Sequence, residues 1–170
     1  MKTKSILYIF VAMTVLLAFA VAPVAAAPGG GAQVVRLVEK TAVPTNAYPI
    51  IPNGAFGMFQ YKADGFKFVG QKLAPVEYTL INYVEPWGTP VGILGKGTPD
   101  IRGKLVIEGG AVALIYSDYT LGTPTSDEYA GQGLGAKIWL VPTSDLTGNL
   151  FNAWNPTTYL FETTLIPKPV

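Results

Sequence analysis

Two tryptophans, three loop acids and two missing residue types bound the chemistry open to this 170-residue chain. Trp87 stands in Pro86-Trp87-Gly88 and Trp154 precedes Asn155-Pro156, both turn contexts in which a ring can face solvent. An indole face attracts the C–H face of a sugar, so both are candidate stacking platforms; the alternative is that each plugs one end of a β structure. Trp139 lies between Ile138 and Leu140 in an apolar run and is expected in the core. Asp118, Asp127 and Glu128 flank a polar loop region and could gather oxygens around Ca²⁺, although no EF-hand spacing is present and solvated loop acids are the alternative. Beyond that optional ion the sequence implies no cofactor.

There is no Cys and no His. Disulfides, thiol chemistry, imidazole or thiolate zinc sites, a Ser-His-Asp triad and a histidine general base are therefore excluded. No side chain with an ordinary pKa titrates between about pH 5 and 8. Past the N-terminal segment, serine occurs only at 117, 126 and 144, with no base nearby in sequence, and neither a G-x-S-x-G nor a phosphate loop is present. The remaining acids, among them Glu85, Asp100, Glu108, Asp145 and Glu162, are thinly spread. A glycosidase needs two carboxyls about 5–10 Å apart across a cleft, and no pair is marked for that. With 12 basic and 11 acidic residues the chain lacks the basic face that nucleic acid requires. The reading is a protein that is not an enzyme, with a carboxylate-only glycosidase as a remote alternative.

The elements that position these residues begin after an export signal. Lys2 and Lys4 precede an apolar run from Ile6 to Ala22, and Val24 and Ala26 supply small residues for cleavage after Ala26. Uncleaved, Ile6 to Ala27 is long enough to anchor in a bilayer, which would be the chain's one membrane contact. Cleavage leaves a secreted or cell-surface protein with acids one in excess. The expected organisation is a signal segment over 1–26, a flexible leader with a first strand and a Pro-rich stretch over 27–54, and a β domain over 55–170.

Short β-rich runs bounded by Gly or Pro recur along that chain. Strands are expected at Gln33–Glu39, Val76–Val84, Val91–Leu94, Lys104–Glu108, Ala111–Tyr116, Lys137–Val141 and Thr158–Glu162. Phe59 to Lys62 and Phe66 to Phe68 alternate aromatic with polar around Ala63-Asp64-Gly65, which predicts a hairpin with positive φ at Gly65. Ser144-Asp145-Leu146 fits one helical turn or a plain turn. No window shows sustained helical periodicity. Strand spacing of this kind predicts an all-β Greek-key sandwich, immunoglobulin-like or jelly-roll.

Leu73-Ala74-Pro75-Val76-Glu77-Tyr78 resembles the L-x-P…Y run of fibronectin-type and immunoglobulin-like sandwiches, one residue short of the usual spacing. There a tyrosine at a strand start bonds back to the backbone; simple packing is the alternative here. Several blocks also resemble, in their order, a secreted domain found mainly in archaeal surface proteins. They include Tyr78-Thr79-Leu80-Ile81-Asn82-Tyr83, Glu85-Pro86-Trp87-Gly88, Gly103 to Gly109, Gly135 to Val141 and Trp154 to Glu162. The resemblance covers most of 66–166 and implies an exported β-sandwich without assigned catalysis. The function expected is structural or adhesive, with partners among copies of itself, other surface proteins or a polysaccharide; a carbohydrate-binding module is the alternative. Val34, Val35, Leu37 and Val38 are too apolar for a free tail. They form either the domain's own first strand or a strand added to a neighbour's sheet edge.

Overall fold

Alternation of apolar and polar residues decides the first three strands. In β1 (Gln33–Glu39) Val35 and Leu37 turn inward and are buried, while Val34 and Arg36 face solvent. β2 (Phe56–Lys62) and β3 (Gly65–Gln71) repeat the rule, with Phe59, Phe66 and Phe68 inside and Lys62 and Lys67 outside. Full burial of a ring such as Phe59 or Phe68 contributes roughly 2–3 kcal/mol. The computed structural model describes residues 31–41, 49–84, 87–116 and 135–167. It continues with β4 (Tyr78–Tyr83), β5 (Gly92–Gly97), β6 (Leu105–Gly110), β7 (Gly135–Pro142), the short pair β8 (Leu146–Thr147) and β9 (Leu150–Phe151), β10 (Leu160–Glu162) and β11 (Ile166–Pro167).

All ladders are antiparallel, and the main sheet runs β5-β4-β7-β10-β1-β2-β3-β6, with β11 returning to the β7 edge. The two end strands meet by side-chain packing. A Cβ on Gly95 would lie 2.5 Å from Ile107 and one on Gly97 2.8 Å from Leu105, so the glycines of β5 make room for the β6 side chains at the seam. The result is a nearly closed, barrel-like sheet. The described residues are all-β, as the strand spacing implies. The fold differs from the expected pair of facing sheets because β10 pairs with both β1 and β7 and joins the halves into one sheet.

β1 is an internal strand of that sheet, with Leu37 opposite Glu162 on one side and Gly57 on the other. Both of its ladder partners, β2 and β10, come from after residue 55. Val35, Leu37 and Val38 are buried and Val34 is exposed. The signal segment lies outside the described residues.

Inside the barrel, Val35, Phe59, Phe68, Leu80, Ile138 and Leu140 belong to one cluster. The end nearest Asn82 is plugged by residues 111–116, which were expected as a strand and are extended chain outside the ladders. Asn82 faces inward and stands in for a strand partner. Its Oδ1 accepts from Ile115 N–H (2.5 Å), and its Nδ2 donates to the carbonyls of Ile115 (3.2 Å) and Lys137 (3.1 Å). The Tyr61 hydroxyl donates to the Val112 carbonyl at 3.0 Å, and Leu114 of the plug is buried in the core cluster.

The β2–β3 hairpin forms with Lys62 opposite Gly65 and Ala63-Asp64 as its turn. Gly65 does not take a positive φ; Gly88, Gly103 and Gly148 do. The reason for glycine at 65 is instead close approach, since a Cβ there would lie 2.6 Å from the Gly109 carbonyl oxygen of β6. Gly65→Ala should therefore destabilise the protein by about 1–3 kcal/mol, whereas Gly110→Ala, with nothing within 4 Å of its added Cβ, should be close to neutral. Urea denaturation of both variants checks this; equal stability of Gly65→Ala and wild type would remove the close-approach argument.

Candidate functional site

β7 carries apolar residues on both faces. Ala136, Ile138 and Leu140 point into the barrel, while Trp139 and Val141 point outward, where Ile81 and Tyr83 of β4 and Phe161 of β10 join them. The segment from 143 to 159 folds over this outer face. It begins with a 3-10 turn at Thr143–Asp145, where the sequence allowed one turn of helix, runs through the β8–β9 hairpin and ends with a second 3-10 turn at Pro156–Thr158. The hairpin has strands of two residues, too short for period-two alternation to announce them.

Trp139 is the floor of this outer cluster. Its ring stacks on Tyr83 with centroids 3.8 Å apart and 9° between planes. Phe161 meets it edge-on at 5.0 Å. It is 6% exposed, so it is core as expected, but in the outer layer rather than inside the barrel. Its buried indole N–H has no hydrogen-bond partner among the described residues, so ring contacts alone hold it. Lys137 and Lys40 place their ammonium groups 5.5 Å from the Tyr83 and Phe161 ring centres, which adds cation–π attraction at the cluster's flanks.

Trp87 and Trp154 meet above this floor. Their centroids are 5.1 Å apart at 82°, an edge-to-face pair. Trp87 stacks on Phe151 at 4.7 Å, and Trp154 contacts Trp139 at 5.9 Å and Tyr159 at 5.4 Å. Although so braced, they remain 48% and 42% exposed. The structure thus brings together the two tryptophans that the sequence singled out separately, from turns far apart in the chain.

Beneath Trp154 the outer cluster touches a polar network. Tyr159 is fully buried; its hydroxyl donates to Asp145 Oδ2 at 2.8 Å and accepts from Asn155 N–H at 3.1 Å. Asp145, also buried, accepts further from Asn155 Nδ2 (3.1 Å) and Ser144 Oγ (3.3 Å). Burial first, then the Asp145 carboxylate, push the Tyr159 hydroxyl well above the usual tyrosine range, against the Asn155 N–H, which lowers it.

Asp145, Ser144 and Asn155 also line a cavity of about 480 Å³ at the barrel end opposite the plug, together with Glu39, Tyr78 and Lys72. Tyr78 opens β4. It is buried, which raises its pKa; a backbone hydrogen bond from Ala74 lowers it, and the Glu39 charge raises it again. Glu39 holds the Ala55 N–H through Oε2 at 2.9 Å.

Sequence reasoning did not single out Glu39 or the cavity. No local pattern marks a carboxylate at the end of the first strand, and its neighbours in the cavity come from the β3–β4 connection, from β4 and from beyond β7. Asp118, Asp127 and Glu128 lie outside the described residues. Among the described residues no group of three or more acidic side chains is placed to hold a metal, and no helix is long and apolar enough to cross a membrane. Compared with protein-family models, curated proteins and solved structures, the chain matches none of them.

The Tyr159–Asp145 bond carries a pH consequence. An unfolded tyrosine loses its proton above about pH 10, while folded Tyr159 keeps it, so this share of stability is complete below pH 10 and is lost as pH rises beyond it. Tyr159→Phe should cost about 1–3 kcal/mol at pH 7, because a buried carboxylate loses a donor. It should also flatten the alkaline decline. Denaturant unfolding of both proteins between pH 7 and 11 measures this; a wild-type stability unchanged from pH 9 to 11 would contradict it.

Proposed function

We propose that this is an exported, non-catalytic cell-surface protein that adheres to carbohydrate through the exposed pair Trp87 and Trp154. The observation that carries the proposal is the pair itself: two large rings, each more than two-fifths exposed, braced by three further aromatic side chains, Phe151, Trp139 and Tyr159. Exposed rings held rigid lose little conformational entropy on binding, which favours stacking on a sugar face. Export is supported by the n-h-c pattern of residues 1–26.

The non-catalytic reading is supported by what the carboxylates do. Asp145 already accepts three hydrogen bonds, and Glu39 tethers the Ala55 backbone. Pairing of β1 on both sides within its own chain supports the intramolecular alternative for Val34, Val35, Leu37 and Val38 over exchange with a neighbour. For the topology, the neighbour order β7-β4-β5, with β6 closing against β5, supports the Greek-key part of the sequence reading.

The test is binding of the protein from residue 27 onward to a panel of immobilised cell-surface polysaccharides. Trp87→Ala and Trp154→Ala should each weaken binding about tenfold, equivalent to about 1.4 kcal/mol, and the double variant should abolish it with the β-sheet circular dichroism retained. Full binding by the double variant would overturn the proposal.

A further inference from the structure

We infer that the cavity at the unplugged end of the barrel is a second carbohydrate site, a pocket for a single sugar ring with Glu39 as its principal acceptor. The inference rests on the reading of the protein as a glycan binder and adds to it a separate place and a separate set of residues.

The two barrel ends are built differently. At one, residues 111–116 fill the opening and are pinned by Asn82 and Tyr61. At the other, the ends of β1 and β7 and the start of β4 surround an opening of about 480 Å³, within the range of small-ligand pockets. Its walls are of two kinds. Leu73, Ala74, Val76 and Leu160 offer an apolar side, while Glu39, Ser144, Asn155 and Thr157 offer a polar one. A pyranose has that same division, with a C–H face and a rim of hydroxyls.

The polar groups are also unequally engaged. Asp145 already accepts from Tyr159, Asn155 and Ser144, so it positions the wall. Glu39 makes one hydrogen bond among the described residues, through Oε2, which leaves Oε1 to accept from a sugar hydroxyl. Tyr78 also lines the cavity, and its hydroxyl is a donor. One acceptor and one donor therefore converge on the cavity, the pairing that a hydroxyl group, itself donor and acceptor, requires. The lining carries one lysine against two carboxylates, which disfavours an anionic ligand.

The cavity is joined to the tryptophan pair through one wall. Tyr159 has its ring against Trp154 at 5.4 Å and its hydroxyl on Asp145 at 2.8 Å, and Asn155, which lines the cavity, follows Trp154 directly. A terminal or branch sugar in the pocket and internal sugars on the rings would be served by the two sides of the same segment.

Titration calorimetry with a panel of free hexoses and N-acetylhexosamines, beside the polysaccharide assay, separates the two sites. Wild type should bind at least one monosaccharide. Glu39→Gln keeps an acceptor for the Ala55 N–H but loses the charge, and should weaken that binding roughly tenfold, the loss of one charge-assisted hydrogen bond. Val76→Trp, which fills the mouth from an exposed rim position, should abolish it. Trp87→Ala should leave monosaccharide binding within twofold of wild type while weakening polysaccharide binding. Monosaccharide affinity unchanged in both Glu39→Gln and Val76→Trp, at wild-type melting temperature, overturns the cavity site. So does Trp-dependent polysaccharide binding with no monosaccharide bound, and there the proposed function survives. Glu39-dependent monosaccharide binding with polysaccharide binding indifferent to Trp87 supports the cavity and overturns the tryptophan platform. A wild-type protein that binds no sugar in either assay overturns both.

Discussion

Trp139 lies flat on Tyr83, ring centres 3.8 Å apart, because β7 is covered on both faces. A strand of a simple barrel buries one face and wets the other. Here Ile138 and Leu140 complete the barrel interior while Trp139 and Val141 seed a second apolar layer outside it. That second layer requires a cover, and the cover is the segment from 143 to 159. Without the stacked pair beneath it, that segment would have little to bury, its strands being two residues long and its helical turns three. The exposed tryptophans follow from the same constraint. Trp154 rests on Trp139 and Trp87 on Phe151, and both rings stay partly exposed.

The polar network has the complementary task. Asn155, Asp145, Ser144 and Tyr159 tie the covering segment together where no sheet ladder does. Each group has a partner, as a buried polar cluster in a low-dielectric setting demands. Because Tyr159 touches both the rings and the carboxylate, the stiffness of the platform and the shape of the cavity wall are one property of one side chain. The barrel's opposite end uses the same device more simply, with a single buried Asn82 holding a loop across the opening.

Much of the sheet was legible in the sequence wherever alternation was clean. Gln33–Glu39 and the hairpin around Ala63-Asp64 read directly, because one face of each had to be apolar and the other carried charge. Legibility failed where alternation failed. Lys137 to Val141 reads as a strand but not as two-sided, since both faces are apolar and nothing marks which one turns out. Ala111–Tyr116 has strand composition, yet its backbone partner is an asparagine side chain, a long-range match that no local pattern encodes. Gly65 illustrates a right position with the wrong cause: the turn was visible, but the approach of β6 was not, because it depends on a strand forty residues on. The cavity was invisible for the same reason, its residues being gathered from β1, the β3–β4 connection, β4 and the segment after β7. The tryptophans were legible as residue types in turn contexts, and only the fold could say that they meet.

Two tryptophans form an exposed platform over a third that is sealed in the layer below, and that platform is the proposed carbohydrate site. Acrylamide quenching of tryptophan fluorescence, with and without a bound polysaccharide, measures it most directly. The free protein should show two populations, two accessible tryptophans and one shielded, with the accessible pair becoming shielded in the complex. Equal accessibility of all three, or quenching of the pair unchanged by bound polysaccharide, would contradict it.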